Sequence, residues 1–178
     1  MSRKKTNFQL VAFMNEAFGN KRGDPANIDV DRIRRQARNI LDEFCELQIA
    51  LGADPASVEA IQEAASKLTY PGSFDLLKVR DALCDINVFS YGAHHLMGID
   101  ADRDMRAVLE SVMTRFIKDE ADKAKTVAKH AANGVTEVYF EGEYPTMIMK
   151  SAADQPDAPK GKFLKSASCR GPLFYQPA

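Results

Sequence analysis

The chain has 178 residues, 45% hydrophobic and 28% charged, with a formal net charge of −1. That composition supplies a packed core for one domain, or one domain with an appendage, and excludes a disordered chain. The near-neutral balance excludes the basic excess of a general binder of polymeric nucleic acid, and no stretch approaches the roughly 20 apolar residues of a membrane helix.

The first helix is expected over residues 7–18, with Phe8, Val11, Ala12 and Ala17 apolar, stopping at Gly19. A loop over 19–27 contains Gly23, Asp24 and Pro25. The second helix is expected over 29–51. Ile33, Ala37, Ile40, Leu41, Phe44, Leu47 and Leu51 recur at three- and four-residue spacing, which marks one buried face, and Gly52 suits the C-terminal cap. The third spans about 55–68, with Asp54 as N-cap and Pro55 in the first turn, and Tyr70-Pro71-Gly72 breaks it. The fourth covers about 74–97. Leu76, Leu77, Val79, Leu83, Ile86, Val88, Phe89, Tyr91 and Leu96 surround it on nearly all sides, so it is expected to be the central, most buried helix. The fifth starts near Ala101, carries Met105, Val108, Leu109, Val112, Met113, Phe116 and Ile117, and runs on to Gly134.

After Gly134 the character changes. Residues 137–140 and 144–149 read as two strands of a hairpin around Glu141-Gly142-Glu143, followed by a polar loop over 151–161 and a basic, aromatic tail, KGKFLKSASCRGPLFYQP. The expected fold is all-α: a bundle of about five helices over 1–134, with a small β-hairpin and extended tail over 135–178. Cys45, Cys84 and Cys169 are odd in number and show no CxxC spacing, so neither a disulfide framework nor a zinc knuckle is expected. Cys45 and Cys84 fall within helical patterns as small hydrophobes. The N-terminus lacks the apolar run and cleavage site of a signal peptide, and the expected location is the cytoplasm.

Two acidic pairs carry the chemistry. Glu43 and Glu46 are three apart and Asp81 and Asp85 four apart, so each pair occupies one face of its helix. Acids on a helix as apolar as the fourth are costly unless paired or metal-bound. Two such faces meeting in a bundle offer a hard, oxygen-rich site suited to Mg²⁺ or Mn²⁺, which can bridge phosphate oxygens and activate water. The competing reading is a solvated acidic surface on a non-catalytic helical interaction protein. His94 and His95 are adjacent and face different sides of their helix, and no ExxH string is present, which argues against a di-iron bundle.

The string RNILDEFCEL (residues 38–47) resembles the ExxE element of the MazG-like, all-α nucleotide pyrophosphohydrolases. VRDALCDINVFSYGAHHLMGID (79–100) resembles their second acidic element, with DxxxD in place of ExxD because Ala82 stands three before Asp85. VLESVMTRFIKD (108–119) resembles the helix that in relatives carries a SNMSK string, with Val112 at the Asn position and Arg115 at the Lys position. FMNEAFGN (13–20) and the tail KGKFLKS (160–166) resemble flanking segments of phage and bacterial members. The likeness covers residues 8–119 and, more loosely, the tail.

The resemblance implies cleavage of a (deoxy)nucleoside triphosphate to monophosphate and pyrophosphate, with Glu43, Glu46, Asp81 and Asp85 as metal ligands and one of the two glutamates as general base. It implies a phosphate contact for Arg115, and a homodimer or homotetramer. Lys118, Lys162, Lys165 and Asn15 are further candidates for substrate contact. Arg170 can join the tail lysines over a triphosphate, and Phe163, Phe174 and Tyr175 can stack on a base or pack on the core. A dGTP- or GTP-selective enzyme of the phage modified-base (MazZ-like) branch and a phosphoribosyl-ATP-type pyrophosphohydrolase are the alternative substrates.

Overall fold

Thr6 opens the first helix. Its hydroxyl accepts from the Gln9 N–H while the Gln9 side chain accepts from the Thr6 N–H, a reciprocal capping box. The same logic recurs along the chain in this computed structural model, which describes residues 5–174. Asp29, Asp54, Asp100 and Asp119 each accept a backbone N–H of the first turn that follows them. Six helices result among the described residues: α1 (Asn7–Ala17), α2 (Val30–Ala50), α3 (Pro55–Ser66), α4 (Leu76–Met97), α5 (Ala101–Met113) and α6 (Glu120–Ala131). Three strands follow: β1 (Val138–Glu141), β2 (Ile148–Ser151) and β3 (Phe163–Leu164). No helix of the described residues is long and apolar enough to cross a membrane.

The chain divides into two compact units. One is Gly23–Ile86; the other joins the residues up to Arg22 to those from Asn87 onward. The described part of the tail belongs with α1, α5 and α6.

In the Gly23–Ile86 unit, α3 packs on α2 around the buried Cys45, Val58 and Ala65. Gly52 takes a positive φ of 90° in the tight turn between them, the conformation its lack of Cβ permits. Arg38 donates to the Ala65 carbonyl at 2.7 Å in the last turn of α3, an oxygen that also accepts the Leu68 N–H, and so ties α2 to the end of α3.

In the other unit α1 packs on α5, and the Asn7 amide donates to Asp102 Oδ1 at 2.6 Å. Phe18, Phe116 and Phe163 form an aromatic cluster, with the Phe18 and Phe116 centroids 4.5 Å apart. The strands form an antiparallel sheet in the order β1-β2-β3, pairing Phe140 with Met149 and Met149 with Leu164. Ile117, Val135, Met149, Ala158 and Leu164 make the core beneath it.

Several expectations need correction. The fifth helix is two helices. Ile117 leaves the helical path and its N–H donates to the Met147 carbonyl at 2.9 Å, burying Phe116 and Ile117 completely, and Asp119 then caps a new start. The sheet has a third strand, Phe163–Leu164, drawn from the tail, and the connection over 142–147 is longer than a tight hairpin. Most consequential is α4, which holds no buried residue: Phe89 is 77% exposed and Leu96 87%. Among the described residues nothing buries its apolar side chains, so the expectation of a central, most buried helix does not hold. Cys84, on the same helix, is exposed for the same reason, whereas Cys45 is buried as expected.

Candidate functional site

Glu43 and Glu46 lie on α2, and Asp81 and Asp85 on the first half of α4, all four exposed. Both pairs keep the spacing that places them on one helix face. None of the four carboxylates has a hydrogen-bond or ion-pair partner among the described residues. Other acids are occupied: Asp31 pairs with Arg34, Glu63 with Lys67, Glu141 with Lys150, and Asp29 and Asp54 cap helices.

The two pairs do not converge in the single chain. Among the described residues no three His, Cys, Asp or Glu side chains stand close enough to share a metal ion. Between α2 and α4 lies an apolar cleft of about 670 Å³, lined by Ile33, Ala37, Ile40, Val79, Leu83 and Ile86. At about 100° per residue, the acids are turned roughly 90–170° from the mean direction of those cleft-lining positions. Glu46 faces instead a crevice between α2 and α3, which Cys45, Val58 and Glu59 also line. The cleft itself carries Arg34, whose guanidinium stacks 4.5 Å over the Tyr70 ring, together with Lys78.

The candidates for substrate contact divide. Asn15 is used locally, its amide donating to the Val11 carbonyl and its oxygen accepting from Asn20. Lys162 donates to the Asp157 carbonyl within its own loop. Lys165 and Arg170 lie on the tail where it returns along α5 and α6, the two helices that the segment bearing Arg115 and Lys118 connects. Ser166 N–H donates to the Arg115 carbonyl at 3.0 Å, and Ser111 Oγ donates to the Arg170 carbonyl at 2.7 Å. His130 Nε2 lies 3.0 Å from the Lys165 carbonyl, so this histidine also holds the tail. Phe163 packs in the aromatic cluster, and Tyr175 lies outside the described residues.

The seat of that tail is Asp122, which sequence reasoning missed. Both of its oxygens accept from Ser166 Oγ at 2.9 Å, Oδ1 also accepts from Ser168 Oγ, and Oδ2 from the Lys118 N–H. Burial pushes its carboxyl up, but the Ser168 and Ser166 hydroxyls, the Lys118 N–H and the Lys118 charge outweigh that and hold it below the usual range. Thr126, fully buried one turn along, accepts the Ala167 N–H and donates to the Asp122 carbonyl. In sequence Asp122 is one acid in a charged helix, and its hydroxyl partners come 44 and 46 residues later. No local pattern announces it.

Compared with known protein families, curated proteins and solved structures, the chain gives no match to any of the three.

Proposed function

We propose that the chain is a metal-dependent hydrolase that cleaves (deoxy)nucleoside triphosphates to monophosphate and pyrophosphate, acting in the cytoplasm as a homodimer or homotetramer. The observation that carries this reading is the pair of acidic faces, Glu43/Glu46 and Asp81/Asp85. They are unpartnered and stand on the two helices whose apolar surface lies most open. The donor set fits Mg²⁺ or Mn²⁺ in kind, being hard carboxylate oxygens with no competing cation. Glu43, Glu46, Asp81 and Asp85 would hold the ion, which when bound offsets the charge of the phosphate chain. Glu43 or Glu46 takes the proton of the attacking water. The water oxygen bonds to a phosphorus of the α–β anhydride, and the bridging oxygen leaves with the departing phosphate group.

A single chain does not gather the four acids, so the reading requires association. Leu77 of α4 is 72% exposed and Leu47 of α2 51%. Covering these residues with a second copy places carboxylates beside a newly dry surface, where they gain from metal binding. A guanine-selective form of the same reaction shares every one of these residues.

A second reading has one observation in its favour, the divergence of the acids in the single chain. It makes the chain a non-catalytic helical interaction protein. Incubation with each dNTP and with phosphoribosyl-ATP, plus Mg²⁺ or Mn²⁺, separates the two. The proposal expects monophosphate and pyrophosphate, with Asp85→Asn inactive but folded. Release of orthophosphate, or unchanged turnover in Asp85→Asn, would sink it.

A further inference from the structure

Leu164 is the last apolar anchor of the C-terminal segment among the described residues, buried in the core beneath the sheet. Residues 165–170 (Lys-Ser-Ala-Ser-Cys-Arg) carry no large apolar side chain, and Leu173 and Phe174 beyond them are exposed. Little of the hydrophobic effect is left to hold this stretch. Hydrogen bonds hold it instead, and every N–H from Ser166 to Arg170 has a partner. Ser166 N–H donates to the Arg115 carbonyl at 3.0 Å, Ala167 N–H to Thr126 Oγ1 at 2.9 Å and Arg170 N–H to Thr114 Oγ1 at 3.0 Å. Within the stretch, Ser168 N–H donates to Ser166 Oγ and Cys169 N–H to the Ser166 carbonyl. The Arg170 carbonyl accepts from Ser111 Oγ, and the Lys165 carbonyl lies 3.0 Å from His130 Nε2.

One anchor of this set is charged. The fully buried Ser166 hydroxyl donates to both Asp122 oxygens, and the Ser168 hydroxyl donates to Oδ1. The charged groups about Asp122 are Lys118 on the α5–α6 link, Asp119, Glu120 and Lys123 at the start of its own helix, and Lys165 and Arg170 on the stretch itself. Asp119 is spent on the Asp122 N–H, and Glu120 on Lys123 and Tyr144. Burial opposes the ionised form of Asp122, but the Ser168 and Ser166 hydroxyls, the Lys118 N–H and the Lys118 charge favour it and prevail.

We propose that residues 165–170 are a polar strap, closed over the α5–α6 junction by the ionised Asp122 and released as a unit when that carboxylate takes a proton. An ionised carboxylate only accepts, and two hydroxyls and one backbone N–H are aimed at it. A protonated one brings its own hydrogen into a site already supplied with donors, and the set no longer closes. With no large apolar side chain to keep it down, the strap opens while the core beneath the sheet stays shut. Opening uncovers the hydroxyls of Ser111, Thr114 and Thr126 together with Asp122, all of them buried when it is closed. The strap is independent of the hydrolase reading.

Amide hydrogen exchange on the full chain, followed residue by residue by NMR and corrected for the intrinsic effect of pH, tests this. At neutral pH the Ser166, Ala167 and Arg170 amides should be protected, though less than those of Ile117 and Val135, which donate to the Met147 and His130 carbonyls in the core. As pH falls through the carboxylate range, the strap amides should lose protection together. The loss should be about tenfold or more, the scale of a charge-assisted bond, while Ile117 and Val135 keep theirs. Asp122→Asn should show the lowered protection already at neutral pH, with no further loss specific to the strap on acidification. Ser168→Ala, at an exposed position, removes a bond that favours the ionised form and should move the loss to higher pH; this variant decides alone if Asp122→Asn does not fold. Strap amides that exchange in step with Ile117 at every pH overturn the proposal. So does an acid-induced loss that persists in Asp122→Asn, or one that Ser168→Ala leaves unshifted.

Discussion

Asp122 concentrates more structural consequence than any other side chain described. Removing it as Asp122→Ala strands the Ser166 and Ser168 hydroxyls and the Lys118 N–H, at a cost of about 1–3 kcal/mol. Urea unfolding should register that loss, together with faster proteolysis of the tail. Because folding lowers its pKa, its contribution is complete above the ordinary carboxylate value of about 4 and disappears as pH falls through the lower folded value. Acid unfolding of the wild type should therefore be steeper in that range than that of Asp122→Asn. Tyr144 provides a second, opposite case. Its phenol donates to Glu120 at 2.6 Å, and that hydrogen bond, with burial and the nearby negative charge, raises its pKa to about 12. The neutral phenol is the favoured form, so the stabilising contact is intact below about pH 10 and is lost as pH climbs toward the raised value. An absorbance titration of wild type minus Tyr144→Phe should place this phenolate near 12. Glu120→Gln should return it towards the ordinary value. Neither residue was readable in the sequence as special, because each owes its environment to a partner more than twenty positions away.

Helices were the readable part of the chain. Asp54 announces its helix because capping chemistry is local, and Pro55 and Gly52 punctuate for equally local reasons. The break between α5 and α6 was hidden. Met105 to Ile117 keeps a helical spacing that runs past the true end at Met113, and only the pairing of Ile117 with Met147 reveals why the helix stops. β3 was hidden likewise, since two residues of strand exist only because β2 offers an edge. For α4, composition led to the expectation of a central, buried helix, whereas the structure leaves it without a buried residue. The proposed association makes this testable. Phe89→Glu and Leu96→Glu, at positions already exposed, should leave helix content intact and shift sedimentation from oligomer to monomer. A wild type that sediments only as monomer would remove the oligomer from the proposal.

Across the chain, the candidate site was half readable. The spacing of Glu43/Glu46 and Asp81/Asp85 came from pattern, and the nomination of Arg115 from the resemblance. The structure keeps each acidic pair on one face of its helix. What pattern could not supply was convergence. Spacing fixes a side chain's angle on its own helix, whereas the phase between α2 and α4 depends on what fills the cleft between them. The open surface of α4 carries this beyond geometry. If a second copy covers it, folding and association share one equilibrium, and the quantity that sets stability is how much protein is present. The midpoint of thermal unfolding should then climb as the sample is concentrated, and specific activity should fall on dilution. The cell would then govern the reaction partly through the amount of the chain it makes.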